Sequence, residues 1–235
     1  MKERETSAMI DPAIQAVYFD AVGTLLFPSS SVSQTYAETA RKYGATPSDE
    51  LIRHAFREAF ARQEKQDFRD GWKTDEARER MRWRTIVGDV FPETNADACF
   101  AELWEWFSQP AAWTVQAEAG EVIRELRSRD LVVGIASNFD SRLCGLVDAF
   151  AELTPLKERC VVSSLVGRRK PGKEFFTAVA KSAGVSAEHI LFVGDDLRND
   201  IYGATAAGMK AILFDPEGRA DGGPRIRKLR DLLAA

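Results

Sequence analysis

The chain has 235 residues, 45% of them hydrophobic by a broad count, and a formal net charge of −4. That length supports one sizeable core, or a core with a small accessory domain, and the mildly acidic balance excludes nucleic acid or an anionic membrane surface as an expected partner. The three cysteines, Cys99, Cys144 and Cys160, form no CxxC pair, so neither a disulfide framework nor a zinc site is expected and a reducing cytoplasm fits best. The apolar runs are strand-length, well short of the roughly 20 residues that span a bilayer. The opening stretch "MKERETSAMIDPA" carries charge without an apolar run behind it, so no secretory signal is expected.

Residues 14–19 read as a short buried strand ending on Asp20, with Gly23 and Thr24 turning the chain away. From about Ser29 to Trp113 the texture is helical. Leu51, Ile52, Ala55, Phe56, Ala59 and Phe60 recur at helical spacing, as do Phe100, Leu103, Trp104 and Phe107. Gly44, Pro47, Gly71, Pro92 and Pro110 punctuate the stretch, and Ser48 and Asn95 stand where N-caps belong. About four helices packed as a bundle are expected. Beyond Val115, helices and strands alternate. "AEAGEVIRELRSRD" is an amphipathic helix, "LVVGIASN" a buried strand, "SRLCGLVDAF" a helix and "CVVSS" a short strand. "KEFFTAVAKSAG" is a helix stopped by Gly184, "ILFVGDD" a strand, residues 199–207 a helix, "AILFD" the last strand and "PRIRKLRDLLAA" a surface helix. The alternation predicts an α/β fold: a Rossmann-like parallel sheet interrupted after its first strand by an inserted helical bundle. The expected domains are 1–28 with 114–235 for the α/β core and 29–113 for the helical cap.

Four segments carry reactive residues to one expected edge of that sheet: Asp20; Ser137 and Asn138; Lys170, reached by a short loop from "CVVSS"; and Asp195, Asp196 and Asp200. Singly, each has a plainer reading as a turn residue, a helix cap or a solvated charge run. Together they fall in chain order at the carboxyl ends of parallel strands, where ligands bind in open sheets. Two carboxylates from different strands repel unless a hard cation lies between them, and Mg²⁺ takes one or two carboxylates with other oxygens, often of a phosphate. Asp20 and Asp195 can supply them. Asp20 can also attack phosphorus, Ser137 can hold phosphoryl oxygens, and Lys170 can balance their charge. Pro171 keeps Lys170 in an extended lead-in.

These residues resemble the signatures of the haloacid dehalogenase-like hydrolase superfamily, in the subfamily with a helical cap after the first strand, over nearly the whole chain. "FDAVGTLL" is similar to the first signature, which makes Asp20 nucleophile and Mg²⁺ ligand. "ASN" resembles the second, making Ser137 a phosphate-binding hydroxyl with Asn138 beside it. "RRKP" resembles the third, making Lys170 the charge-balancing lysine. "GDDLRND" resembles the fourth, making Asp195 a Mg²⁺ ligand, with Asp200, Asp196 and Thr24 in support. "SNFDSRL" and the cap length resemble the branch named for a rhythmically expressed fly gene. One position departs. Phosphatases of the family carry a second Asp two residues after the nucleophile to protonate the leaving oxygen; here it is Val22. The resemblance still gives Val22 a metal-ligand role, through its backbone carbonyl.

Three functions compete. The favoured one is a Mg²⁺-dependent phosphatase acting on a small phosphorylated metabolite, with the acid missing or replaced by a cap carboxylate such as Glu38, Glu64 or Asp67. The second is haloacid dehalogenation, for which Val22 is harmless but Asp195 is an uncompensated charge, or phosphonate cleavage using Lys42, Lys65 or Lys73. The third is a phosphate-binding protein with little or no turnover. His54 and His189 are expected to be structural. Most of the five tryptophans are expected in the bundle core, with Trp106 the candidate to face the crevice. Arg168 and Arg169 are expected to be a solvated loop.

Overall fold

The computed structural model describes residues 10–92 and 95–233. In chain order its strands are β1 (Ala16–Phe19), β2 (Leu26–Pro28), β3 (Trp113–Val115), β4 (Val132–Ser137), β5 (Cys160–Val162), β6 (Ile190–Gly194), β7 (Lys210–Phe214) and β8 (Arg225–Ile226). Six of them form one parallel sheet in the order β5-β4-β1-β6-β7-β8, with β1 between β4 and β6. All four β1 residues are fully buried. Successive side chains point to opposite faces, and they do so here: Val17 and Phe19 enter one apolar cluster, Ala16 and Tyr18 another.

Helices cover both faces, as a parallel sheet requires. The four inserted helices come first in the chain: α1 (Val32–Lys42), α2 (Asp49–Arg69), α3 (Glu76–Val90) and α4 (Ala96–Trp106). Next are α5 (Ala119–Ser128), α6 (Arg142–Ala149), the single turn α7 (Ser163–Val166), α8 (Lys173–Ala183) and α9 (Gly203–Ala206). Val122, Ile123 and Leu126 of α5 and Leu143 and Leu146 of α6 pack on the Val17–Phe19 face; Phe175, Phe176 and Val179 of α8 pack on the other. Helices α1 to α4 share a separate apolar cluster built on Tyr36, Ile52, Val87, Phe91, Phe100 and Leu103. The expected caps form: the Ser48 hydroxyl accepts from Leu51 N–H, the Asn95 carboxamide from Ala98 N–H, and Gly184 ends α8 at φ 75°.

Four local expectations are corrected. The stretch before the inserted helices and the one after them pair as antiparallel β2 and β3, a ribbon of three-residue strands too short to show a period. "CVVSS" stops being a strand at Val162, because the Ser163 hydroxyl donates to Phe139 O and accepts from Phe139 N–H, drawing the chain into α7. The helix expected at 199–207 starts at Leu197 as a wide turn, whose first amides donate to the Asp196 carboxylate, and continues into α9. The tail is not one surface helix within the described residues. Arg225–Ile226 satisfies the open edge of β7, and Leu229 and Leu232 of the following 3₁₀ turn are fully buried. An unpaired sheet edge outcompetes a marginal local helix.

Candidate active site

Asp20 follows β1 and extends its ladder by one bond, its N–H donating to Val193 O at 2.8 Å. The carboxylate is thereby fixed at the carboxyl end of the sheet, 7% exposed. Three residues on, Gly23 turns the chain at φ 92°, a conformation that disfavours any side chain, and a Cβ there would overlap the Asp195 carboxylate. Gly194 plays a matching part: a Cβ on it would collide with Asp200. These two glycines let carboxylates from separate segments converge, and one oxygen each from Asp20, Asp195 and Asp200 lies within 4.8 Å of the others.

Lys170 enters this acidic cluster from the loop before α8. Its Nζ donates to Asp20 Oδ1 and to Asp200 Oδ1, both at 2.6 Å, and to Ala136 O at 3.4 Å. Asn138 fixes the lysine's backbone, accepting from Lys170 N–H at 2.7 Å and donating to Lys170 O at 3.1 Å. Burial alone would depress the ammonium's pKa; the adjoining Asp20 and Asp200 outweigh it, and the net shift is upward. The acids respond in kind. Asp195 is exposed toward the cavity, and desolvation in the cleft, then the charges of Asp20 and Asp200, push it up to about 7 despite Lys170. Burial raises Asp200 to about 6, against the pull of Lys170.

The remaining candidates arrange themselves around this core. Thr24 Oγ1 donates to Asp195 Oδ1 at 3.3 Å. Asp196 uses its carboxylate on the turn after β6, while its N–H donates to Asp200 Oδ2 at 3.0 Å. Ser137 ends β4 and, like Val22 and Asn138, lines the same cavity as Asp20 and Asp195. That cavity holds about 350 Å³. It runs from the carboxylates to a wall of inserted-helix side chains, among them Phe56, Phe60, Trp83, Leu103 and Trp104.

The wall carries most of what the sequence left unread. Trp83, Trp104 and Trp113 line the cavity, whereas Trp106 packs half-buried against the sheet-side core. Arg169 is not a solvated loop residue. It is 4% exposed and joins Arg82, Glu64, Asp67 and Glu79 in a buried ion cluster between α2, α3 and the loop before α8. Arg82 holds Asp67 at 3.0 Å and Glu64 at 2.9 Å; Arg169 bonds Glu79, which also accepts from Thr74 Oγ1 at 2.7 Å. Backbone bonds run alongside, from Thr74 N–H to Gly167 O and from Arg169 N–H to Trp72 O. Glu79 and Arg82 lie in phase with apolar Ile86 on α3; charges on a buried stripe were the available signal. Asp140, fully buried, accepts bidentately from Arg142, whose guanidinium lies 3.4 Å from the Trp104 ring centroid.

Other tempting residues stand apart. Exposed Lys42 pairs with half-buried Glu102, and neither Lys65 nor Lys73 is among the residues lining the cavity. Glu38 is exposed on α1. His54 faces Glu58 on the surface of α2, and His189 Nδ1 lies 2.7 Å from Ala13 O. Among the described helices none is long and apolar enough to cross a membrane.

The donor set at the sheet edge fits Mg²⁺. It consists of hard carboxylate oxygens, and it leaves Asp195 with one weak hydroxyl partner and a pKa raised by desolvation and then by its acidic neighbours. Known proteins resemble the chain over most of its length. The mouse haloacid dehalogenase-like hydrolase domain-containing protein 3 is 29% identical over 201 residues, 83% of this chain and 79% of its own. Ribulose-1,5-bisphosphate 5-phosphatase of Halopiger xanaduensis is 24% identical over 208 residues, 88% and 87% of the two chains. A crystal structure of a dehalogenase superposes with a TM-score of 0.72 at 17% identity, covering 95% and 97%; at that identity the likeness is one of fold. The model of the family described as haloacid dehalogenase-like hydrolase matches residues 14–208. The convergence of four strand-end segments on one acidic, lysine-bridged cluster therefore has its explanation in descent: this chain belongs to the haloacid dehalogenase-like hydrolases.

Proposed function

We propose that the protein is a Mg²⁺-dependent phosphohydrolase that works through an aspartyl-phosphate on Asp20. The observation that carries this reading is the position of Lys170 Nζ, 2.6 Å from both Asp20 and Asp200, beside an Asp195 that has no ion pair among the described residues. A metal-free dehalogenase has no use for Asp195, which would only repel the nucleophile.

In the proposed reaction, Asp20 attacks phosphorus and the bond to the leaving oxygen breaks. Lys170 holds Oδ1 of the nucleophile and faces the phosphoryl oxygens, with Ser137 and backbone N–H groups as further donors. Asn138 orients Lys170 through two backbone bonds. Asp20, Asp195 and the carbonyl of Val22 would hold Mg²⁺, with Asp200, Asp196 and Thr24 behind them; the ion, when bound, neutralises charge on the phosphate. Water then attacks the aspartyl-phosphate and releases phosphate. Val22 cannot move a proton, and the cap carboxylates that line the cavity, Glu64 and Glu79, are engaged by arginines.

With Mg²⁺ present, the protein should hydrolyse acetyl phosphate, whose leaving group needs no proton. Asp20→Asn should abolish it. Absence of turnover across activated phosphates would instead support the reading as a phosphate-holding protein, and halide release from a haloacid without metal would support dehalogenation.

A further inference from the structure

Resting on phosphoryl transfer at Asp20, we propose that the cavity takes aryl phosphates: monoesters whose leaving group is a flat, uncharged phenol. Two independent observations lead there. The first is the wall. Opposite the carboxylates the cavity is faced by Phe56, Phe60, Trp83, Leu103, Trp104 and Phe107. Phe56 and Phe60 stack at 6.0 Å between centroids, and Trp83 lies 6.4 Å from each. Such flat rings match a flat ligand by offset or edge contacts.

The charged groups on this wall are already spent. Glu64 and Glu79 face Arg82 and Arg169, and Arg142 is held bidentately by Asp140. A sugar or glycerol moiety would lose its water and find few partners, which is costly for each hydroxyl. A charged leaving group would fare worse. Two lining residues each keep one buried polar atom without a hydrogen-bond partner among the described residues, Arg169 Nε and Asn199 Oδ1, enough for one polar substituent.

The second observation concerns the proton. Among the described residues, every carboxylate lining the cavity apart from the sheet-edge aspartates is paired, no histidine lines it, and Val22 occupies the acid's place. The leaving oxygen must depart as an anion. When Asp20 Oδ bonds to phosphorus, the P–O(aryl) bond breaks and its electron pair leaves as a phenolate, which takes its proton later from water. Water next attacks the phosphoryl group on Asp20, breaking the P–O bond to the carboxylate and giving inorganic phosphate. Phenolate is far less basic than alkoxide, so the chemistry and the wall select the same substrate class.

The test compares kcat/KM for wild-type protein with Mg²⁺ on acetyl, phenyl, 1-naphthyl, glycerol 1- and ribose 5-phosphates. Phenol and 1-naphthol have similar acidity, so their ratio reports the wall rather than the leaving group. Naphthyl should exceed phenyl on the order of tenfold from the added apolar area, and both should exceed the glycerol and ribose esters by about 100-fold or more. Phe60→Ala should shrink the naphthyl-to-phenyl ratio. Turnover of acetyl phosphate with a naphthyl-to-phenyl ratio near one, or with ribose 5-phosphate preferred, would overturn the aryl assignment and leave phosphoryl transfer standing. No turnover of any of the five would overturn both.

Discussion

In the proposed mechanism, Val22→Asp supplies the acid that the chain lacks. Val22 is half-buried on the same cavity as Asp20 and Asp195, and no unpaired cap carboxylate stands in for it there among the described residues. The full deficit of acid catalysis should therefore be visible. General acid–base help is worth about 10²–10⁴-fold, or roughly 3–5 kcal/mol of transition-state stabilisation. It should be realised almost entirely on esters whose alkoxide leaves badly. The variant should raise kcat/KM for glycerol 1-phosphate by about 10²-fold or more and for phenyl phosphate by less than about tenfold. The added carboxylate joins three others, so the metal-free variant should melt below wild type, and Mg²⁺ should recover part of the loss. Paired steady-state kinetics on the two esters provide the assay. Equal gains on both, or none on either, would mean that proton delivery to the leaving oxygen is not what the chain lacks.

Three further outcomes follow from the electrostatics. Lys170→Met leaves Asp20 and Asp200 facing each other without their cation and should cost about 3–5 kcal/mol at neutral pH, a fall of roughly 6–20 °C in Tm by differential scanning calorimetry. The raised pKa values of Asp195 and Asp200 mean that, below about 7, the folded metal-free protein binds more protons than the unfolded chain. These groups should therefore make the metal-free protein more stable as pH falls from about 8 toward 5, and saturating Mg²⁺ should remove the gain; Asp195→Asn should flatten the metal-free pH profile and abolish magnesium uptake in titration calorimetry. Arg169→Met strands Glu79 and should cost about 3–5 kcal/mol in urea unfolding, while Arg169→Met with Glu79→Met should recover most of it; simple additivity would contradict the cluster's role.

What sequence could and could not disclose follows from the range of the forces involved. β1, β4 and β6 are buried on both faces, so their apolar runs were legible, and the polar residues that break those runs named the strand tips. The meeting of Asp20, Lys170, Asp195 and Asp200 was foreseeable because parallel strands bring their carboxyl ends to one edge. The β2–β3 pairing was not, since three residues carry no period. The tail was misread because edge pairing and the burial of Leu229 and Leu232 are tertiary effects. Arg169 looked like surface charge because its five-membered ion cluster draws on α2, α3 and the loop before α8, segments remote in sequence. Trp106 was picked for the crevice on periodicity alone, yet Trp83 and Trp104 line it; which side of a bundle helix faces a cavity depends on how the bundle sits over the sheet.

The central claim is that Asp20 becomes phosphorylated. Protein mixed with Mg²⁺ and 1-naphthyl phosphate should be quenched in acid during the first turnover, digested and read by mass spectrometry. The account predicts one phosphoryl group on the peptide that carries Asp20, lost in Asp20→Asn and released as inorganic phosphate on chase. Naphthol release in that same turnover with Asp20 unmodified would contradict it.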